Sequence, residues 1–355
     1  MSADSGTRRS IALLLPSLKF GGAERVALAL ADAFVAAGHK VSILLMSAEG
    51  EFLAEARDRF EVVDLQCNRT RKLPLRLANY LRDASPDLLV SSFWKLNLCA
   101  CLARVAHPST RLLLWEHSPP SLSKQSPSLL YGVSSTLLYR LATGIVCVSR
   151  GVRDDVLSLT TGLEDRLVVI HNPIPAPRNL PRRSAKTRRK RIAWIGRLDE
   201  PKNPGLMIET LAMLPDLDLV MAGEGRLRAD LERSANALGL DARVQFLGFV
   251  PNAYAVLAEA DLLVLTSDRE GLPSVLVEAM HAGIGVVATD CGTGVRDIIR
   301  MPEHGLVCAK RNPEALAAAI NEALSRTFAP DHQRKRAEAF DPAVIAGQFL
   351  EMARL

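Results

Sequence analysis

The feature that most constrains this chain is a rhythm that runs once and then starts again. Short aliphatic runs alternate with amphipathic stretches. In the first half the runs are Ile11–Leu15, Val41–Met46, Leu88–Ser91, Leu112–Trp115, Ile145–Val148 and Leu167–Ile170. Stretches with helical spacing, such as Ala23–Ala37, Leu75–Ala84 and Val152–Leu159, lie between them. A strand buried on both faces reads as a continuous apolar run, and strands alternating with helices build a parallel sheet covered on both sides. After a basic, proline-rich segment the pattern restarts with Arg191–Ile195, Leu217–Ala222, Val244–Phe246, Leu262–Thr266 and Gly285–Thr289 as strands. Pro204–Leu214, Leu227–Leu238, Ala253–Glu259, Ser274–Ala282 and Pro313–Ser325 read as its helices.

The fold class is therefore α/β, with two Rossmann-like doubly wound domains. The first spans 1–176, a basic linker 177–190, and the second domain 191–330. Residues 331–355 have helical spacing past a break at Pro342, and are expected to form a C-terminal helix packing back on the first domain. A length of 355 residues suits two domains, and a hydrophobic fraction of 48% fills two cores. In open parallel sheets, ligands bind beyond the carboxyl ends of the strands, where strand order reverses. Two such domains are expected to face each other across one cleft, with the chemistry in the loops after strands.

Composition narrows the class further. No apolar run approaches the ~20 residues of a membrane-spanning helix. Arg8-Arg9-Ser10 before Ile11–Leu15 faintly resembles a signal peptide, but the run stops at Pro16 with no small-residue cleavage site, so it reads as a first strand. The six cysteines form no CxxC pair, and several sit in strand-like runs, which suits reduced core residues in a cytoplasmic protein. The net charge of +5 is local. Arg178, Arg182, Arg183, Lys186, Arg188, Arg189, Lys190 and Arg191 fall together with no acid among them, and without them the chain would be slightly acidic. General nucleic-acid binding is not implied. A solvated linker explains the segment; so does attraction to an anionic membrane surface, each basic residue there being worth about 1 kcal/mol. The second reading would put the protein at the inner face of the cytoplasmic membrane.

Six segments place unusual residues at strand ends. Gly21-Gly22 precede the first helix, where backbone amides can approach a phosphate, although a plain tight turn also uses such a pair. His117 ends a strand in Trp115-Glu116-His117-Ser118-Pro119-Pro120, as either a site residue or a structural histidine. Asn172, before Pro173, suits the acceptor side, or turn chemistry alone. Gly196-Arg197-Leu198, with Lys202, follows the strand that opens the second domain; the two cations could neutralise a pyrophosphate, Arg by a bidentate fork and Lys as a point charge. Gly223-Glu224 follow another strand. In the sixth segment, Gly271 and Leu272 stand ahead of a helix with Pro273 as its first residue, and Glu270 and Glu278 could reach two places on an elongated polar ligand, or be ordinary helix-flanking acids.

Together these segments resemble the retaining glycosyltransferase family 4, of the GT-B fold, over nearly the whole chain. The most specific parts are Gly196-Arg197-Leu198 with Lys202, and Glu270 spaced eight residues from Glu278. The resemblance implies that Glu270 approaches the donor sugar hydroxyls and that Glu278 binds the ribose. It implies that Arg197 and Lys202 face the donor phosphates, Gly21-Gly22 the distal phosphate and sugar, and His117 the transferred sugar. Gly196, Gly223, Glu224, Gly271 and Leu272 fall on the donor side. The segment Asp290–Asp297 is similar to enzymes that extend lipid-linked oligosaccharides or surface polysaccharides, but has Asp297 where many relatives carry Glu.

The implied reaction takes a hexose or N-acetylhexosamine from a nucleotide-sugar donor, with uracil as the expected base, to a glycan or polyprenyl-linked acceptor. Breaking the anomeric bond builds negative charge on the departing diphosphate, and stabilising it is the main catalytic task. No close carboxylate pair suggests double displacement. No metal-ligand cluster is evident, so neither a divalent metal nor another cofactor is expected. Two other readings use the same features: a UDP-sugar 2-epimerase on this scaffold, and a non-catalytic peripheral membrane module, which leaves Glu270 and Glu278 without a purpose.

Overall fold

In the computed structural model the described residues are 7–19, 21–123, 127–177, 179, 189–292 and 294–355. They form two units. One runs to Pro175 and takes back Phe340–Leu355; the other is Ala176–Ala339.

The strands of the first unit are β1 (Ser10–Leu15), β2 (Lys40–Leu45), β3 (Glu61–Asp64), β4 (Leu88–Ser92), β5 (Arg111–Glu116), β6 (Gly144–Cys147) and β7 (Leu167–Val169). They pair in parallel in the order β3-β2-β1-β4-β5-β6-β7. The chain builds outward from β1 to β3, then returns to the other side of β1. The switch point lies between β1 and β4, beside the loops leading to helices Gly22–Ala36 and Trp94–Arg104. β4 and β6 are buried throughout and β1 and β5 in all but their first residue, because helices cover both faces.

The second unit repeats the plan with β8 (Lys190–Ile195), β9 (Leu217–Ala222), β10 (Val244–Gly248), β11 (Leu262–Leu265), β12 (Gly285–Thr289) and β13 (Leu306–Cys308). Their order is β10-β9-β8-β11-β12-β13, again parallel. The switch point here lies between β8 and β11. Trp194, Met207, Leu219, Met221, Val264 and Leu316 share one core. The loops after β8 and β11, which carry Arg197, Lys202 and Glu270, therefore open side by side at the ligand-binding edge of the sheet.

The structure departs from the sequence reading in three places. β3 and β13 were not anticipated; both are short edge strands, of four and three residues, only half buried. The expected C-terminal helix is two helices. Pro330–Ala337 stays in the second unit against helix Ser274–Ala282, while Pro342–Ala353 joins the first unit against helix Gly22–Ala36. Pro342 has no amide to continue a helix, and the Asp341 side chain accepts from the Ala343 amide at 2.8 Å, which caps a new one. Phe349 of the last helix then packs edge-on against Trp115 and Phe34.

The third departure concerns the basic segment. Its residues 178 and 180–188 lie outside the described residues. Arg189 pairs with Asp218 at 3.2 Å, Lys190 opens β8 and donates to the Leu324 carbonyl at 3.2 Å, and Arg191 is the second residue of that strand. Arg191 thus lies in the strand where the pattern places it, while Arg189 and Lys190, expected in the linker, lead into the start of this central strand. All six cysteines are free and buried. No described helix is long and apolar enough to cross a membrane.

Candidate functional site

On the second unit, Lys202 ends a turn of 3-10 helix, Glu200–Lys202. Its Nζ donates to Glu270 Oε1 at 2.5 Å, and the Ser267 hydroxyl donates to the same oxygen at 2.6 Å. Side-chain exposure is 25% for Lys202 and 9% for Glu270, so water screens this pair poorly. The turn is held from below. Trp194 Nε1 donates to Thr266 Oγ1 at 2.9 Å, and that hydroxyl lies 2.9 and 2.8 Å from the carbonyl oxygens of Lys202 and Asn203. The Asp268 amide donates to Pro201 O at 3.0 Å. The two loops at the switch point are thus stapled together, and the residues singled out in them are in contact.

Arg197 is placed differently. Its side chain is 71% exposed and pairs with Asp199 at 3.5 Å. It stands on the rim, free to reach an arriving anion at small cost, since exposed pairs are worth little.

Gly196 and Gly223 act by closeness. The Gly196 amide donates to Ala222 O and the Gly223 amide to Gly248 O, so neither is left for a donor phosphate. Gly223 has φ +147°, and a Cβ there would lie 1.8 Å from the Gly196 carbonyl oxygen. Glu224 is tied by its carboxylate to Arg228 at 3.4 Å. The two glycines buttress the Arg197 loop through these backbone contacts, and the exposed Glu224 carboxylate stands beside them on the same edge. Gly294 backs the other loop: a Cβ there would meet Gly271 O at 2.4 Å and Leu272 Cα at 2.8 Å. Pro273 caps helix Ser274–Ala282 instead of opening it, its ψ of 93° being non-helical. Glu278 lies half-buried in the second turn of that helix.

Arg311 was not signalled by sequence pattern. It donates to the Asp290 carbonyl and pairs with Asp268 at 3.5 Å, bridging the loops after β11 and β12. Burial works to raise the Asp290 carboxyl, but Arg296, the Gly292 amide and Arg311 outweigh it and hold it below the usual carboxylate range. Asp297 is 2% exposed.

On the first unit, His117 follows β5 with its ring between Trp115 and Phe93, at centroid distances of 4.4 and 5.3 Å. Its Nε2 is buried without a hydrogen-bond partner among the described residues. Burial lowers its pKa to about 3, so the imidazole is neutral at physiological pH. Phe93 was also missed by pattern. It caps helix Trp94–Arg104 with φ +72°, a conformation costing a non-glycine residue about 1–3 kcal/mol and typical of functional sites. Asn172 is 7% exposed and its Oδ1 likewise lacks a partner. It lies just past the end of β7, two strands from β5, or about 10 Å by sheet spacing. Gly21 caps helix Gly22–Ala36; a Cβ there would meet the Glu24 carboxylate at 2.0 Å, whereas Gly22 faces open space.

Glu116 points to the opposite face from His117. It is 4% exposed and accepts from Tyr139 OH at 2.5 Å and Asn97 Nδ2 at 3.0 Å. Burial pushes its carboxyl up, against the pull of those hydrogen bonds. Stability from this site is therefore present below the ordinary value of 4.5 and lost as pH rises toward the folded value, because the unfolded chain ionises first. Glu116→Gln should flatten the fall in Tm on the alkaline side of pH 5 while keeping the fold. A steeper fall would show that the carboxyl is held ionised. Among the described residues no group of three or more His, Cys, Asp or Glu could hold a metal ion.

Comparison with known proteins adds the family context. Residues 20–178 match the model for Glycosyltransferase Family 4, and residues 177–340 the model for Glycosyl transferases group 1. The chain is 28% identical to the N-acetylgalactosamine-N,N'-diacetylbacillosaminyl-diphospho-undecaprenol 4-alpha-N-acetylgalactosaminyltransferase of Campylobacter jejuni, covering 97% of this chain and 99% of that one. It is 26% identical to a second N-acetylgalactosaminyltransferase of the same organism, over 96% and 97% of the two chains. Among solved structures it is similar to HepE of Anabaena in complex with UDP and glucose, with a TM-score of 0.82, 22% identity, and coverage of 97% and 99%.

Proposed function

Since the chain belongs to the glycosyltransferases built from a family 4 half and a group 1 half, we propose that it moves an N-acetylhexosamine from a UDP-sugar to an oligosaccharide carried on a polyprenyl diphosphate, with retention at the anomeric carbon. The observation that carries the donor-site assignment is the Lys202–Glu270–Ser267 cluster at the switch point of the second sheet. The transferred sugar and the acceptor class rest on the two Campylobacter relatives, whose named reactions transfer N-acetylgalactosamine to diphospho-undecaprenol-linked sugars, and the UDP of the donor on the Anabaena relative in complex with UDP.

In this reading the donor diphosphate draws Lys202 off Glu270 and is met at the rim by Arg197. Glu270, freed from the lysine, accepts hydrogen bonds from the donor sugar, and Glu278 accepts from the ribose. The anomeric C–O bond breaks with its electron pair passing to the diphosphate. Both cations gain interaction energy as that charge develops, which lowers the barrier. The acceptor hydroxyl attacks on the face the diphosphate leaves, and its proton passes to the departing diphosphate oxygen. His117 is neutral at working pH, so its buried Nε2 serves as a hydrogen-bonding group for the sugar and supplies no charge. Asn172 Oδ1 offers an unmatched acceptor on that edge for the incoming oligosaccharide.

We propose that the protein's own cations suffice without a divalent metal. The test is a thermal-shift panel of UDP, GDP and ADP with and without EDTA, followed by transfer assays with the matching sugar nucleotides. UDP should stabilise the fold by about 2.7 kcal/mol at a hundredfold excess over Kd, and EDTA should change neither this nor turnover. Stabilisation by GDP alone would overturn the uracil assignment, and loss of turnover in EDTA the metal-free one.

A further inference from the structure

Helix Ser128–Leu138 of the first unit contains no charged residue. It buries Tyr131, Gly132 and Ser135 and turns Leu129 (82% exposed), Leu130 (56%), Val133 (54%) and Leu137 (64%) outward. Leu122, in the loop before it, is 44% exposed. Of the sixteen large apolar side chains exposed among the described residues, five fall in this one stretch, so the patch is not the usual scatter of single surface leucines. The helix is firmly seated. A Cβ on Gly132 would lie 2.4 Å from the Leu159 carbonyl oxygen, so this helix meets helix Arg150–Leu159 backbone to backbone there. A groove of about 590 Å³ remains beside the contact, lined by Leu129, Val133, Leu137 and Leu159 among small hydroxyl residues. The apolar face is thus presented by the fold and is not a helix left loose.

We infer that this helix seats the protein on a phospholipid bilayer, its Leu129–Leu137 face entering the boundary between headgroups and acyl chains. Its chemistry favours lipid over protein. Protein hot spots are rich in Trp, Tyr and Arg and poor in Leu, Val, Ser and Thr, whereas leucine faces are what interfacial helices bury. Its position fits as well. The helix runs back from the carboxyl edge of the sheet, so Leu129, the most exposed of the set, stands toward the edge that carries His117. Just past the helix, exposed Arg140 donates to the Thr161 carbonyl at 3.4 Å, which sets a cation at the rim of the groove to meet headgroup phosphates. The inference rests on the lipid-linked acceptor proposed above: such an acceptor stays in the bilayer, and no described helix is long and apolar enough to span it.

The test is flotation of the full chain with vesicles of phosphatidylethanolamine and phosphatidylglycerol, comparing wild type with the triple variant Leu129→Ser, Val133→Ser, Leu137→Ser. The replaced side chains are exposed, so the fold is retained, and the UDP thermal shift serves as control. Partition of the variant should fall at least about tenfold, and the difference should survive high salt, because apolar burial is not screened. Equal flotation of the two proteins, or no flotation of either, overturns the inference. So does a wild-type dimer that the triple substitution turns into a monomer, which would make the face a contact between copies. The vesicle readout judges the helix, and the UDP shift separately judges the proposed function.

Discussion

Lys202→Ala is expected to lower kcat at saturating donor by about 10²–10³, the loss seen when one preorganised charge-stabilising group is removed. Its ammonium already sits at the switch point, 2.5 Å from Glu270, and needs only to change partners when the diphosphate arrives. A stability cost should accompany the lost activity. With Glu270 only 9% exposed, deleting its cation leaves a poorly solvated carboxylate holding the Ser267 hydroxyl, for about 1–3 kcal/mol. Activity and stability can be separated by the double variant Lys202→Ala, Glu270→Gln, in which no charge is stranded. Urea melts should show stability recovering while turnover stays low. If the single variant turns over within about threefold of wild type, far short of the expected loss, the lysine does not face the diphosphate.

Gly223→Ala is expected to do comparable damage by a different route. The added methyl would overlap the Gly196 carbonyl oxygen, and the φ of +147° strains any side chain, so the backbone must move. A cost of about 3 kcal/mol or more follows, with turnover falling as the loop bearing Arg197 shifts. Gly22→Ala is the matched control for stability. Its Cβ points into open space at the first residue of a helix, where alanine should be neutral or slightly stabilising. Chemical denaturation of both variants decides the matter: similar losses would mean that the approach of Gly223 to Gly196 is not what fixes this loop.

Sequence reading reached the strands that the fold buries on both faces, because there nearly every residue is apolar. β9, β12 and helix Ser274–Ala282 fall on the residues the pattern marks. It missed β3, whose Glu-Val-Val-Asp gives too few residues and too little burial for a period to show. The break at Pro342 was visible, but not that the halves of the tail join different units, since that depends on which apolar face each helix meets. At the candidate site, Lys202 and Glu270 were legible one by one as charges at strand ends. Their pairing was not, because 68 residues separate them in sequence. The strain at Phe93 and the bridge made by Arg311 leave no mark on composition or spacing, as both are made by tertiary contacts. The neutral state of His117 follows from its burial, which no string of letters reports.

The return of Phe340–Leu355 to the first unit has a consequence for the order of synthesis. The unit that is begun first is closed last. Until the final helix emerges, the nascent first sheet lacks the Phe349 ring that packs against Phe34 and Trp115. The whole of Ala176–Ala339 is translated in that interval, a delay on the order of ten seconds at ordinary elongation rates. The second unit, continuous in sequence, can complete its own core within that time, while the first waits with two large aromatic side chains uncovered.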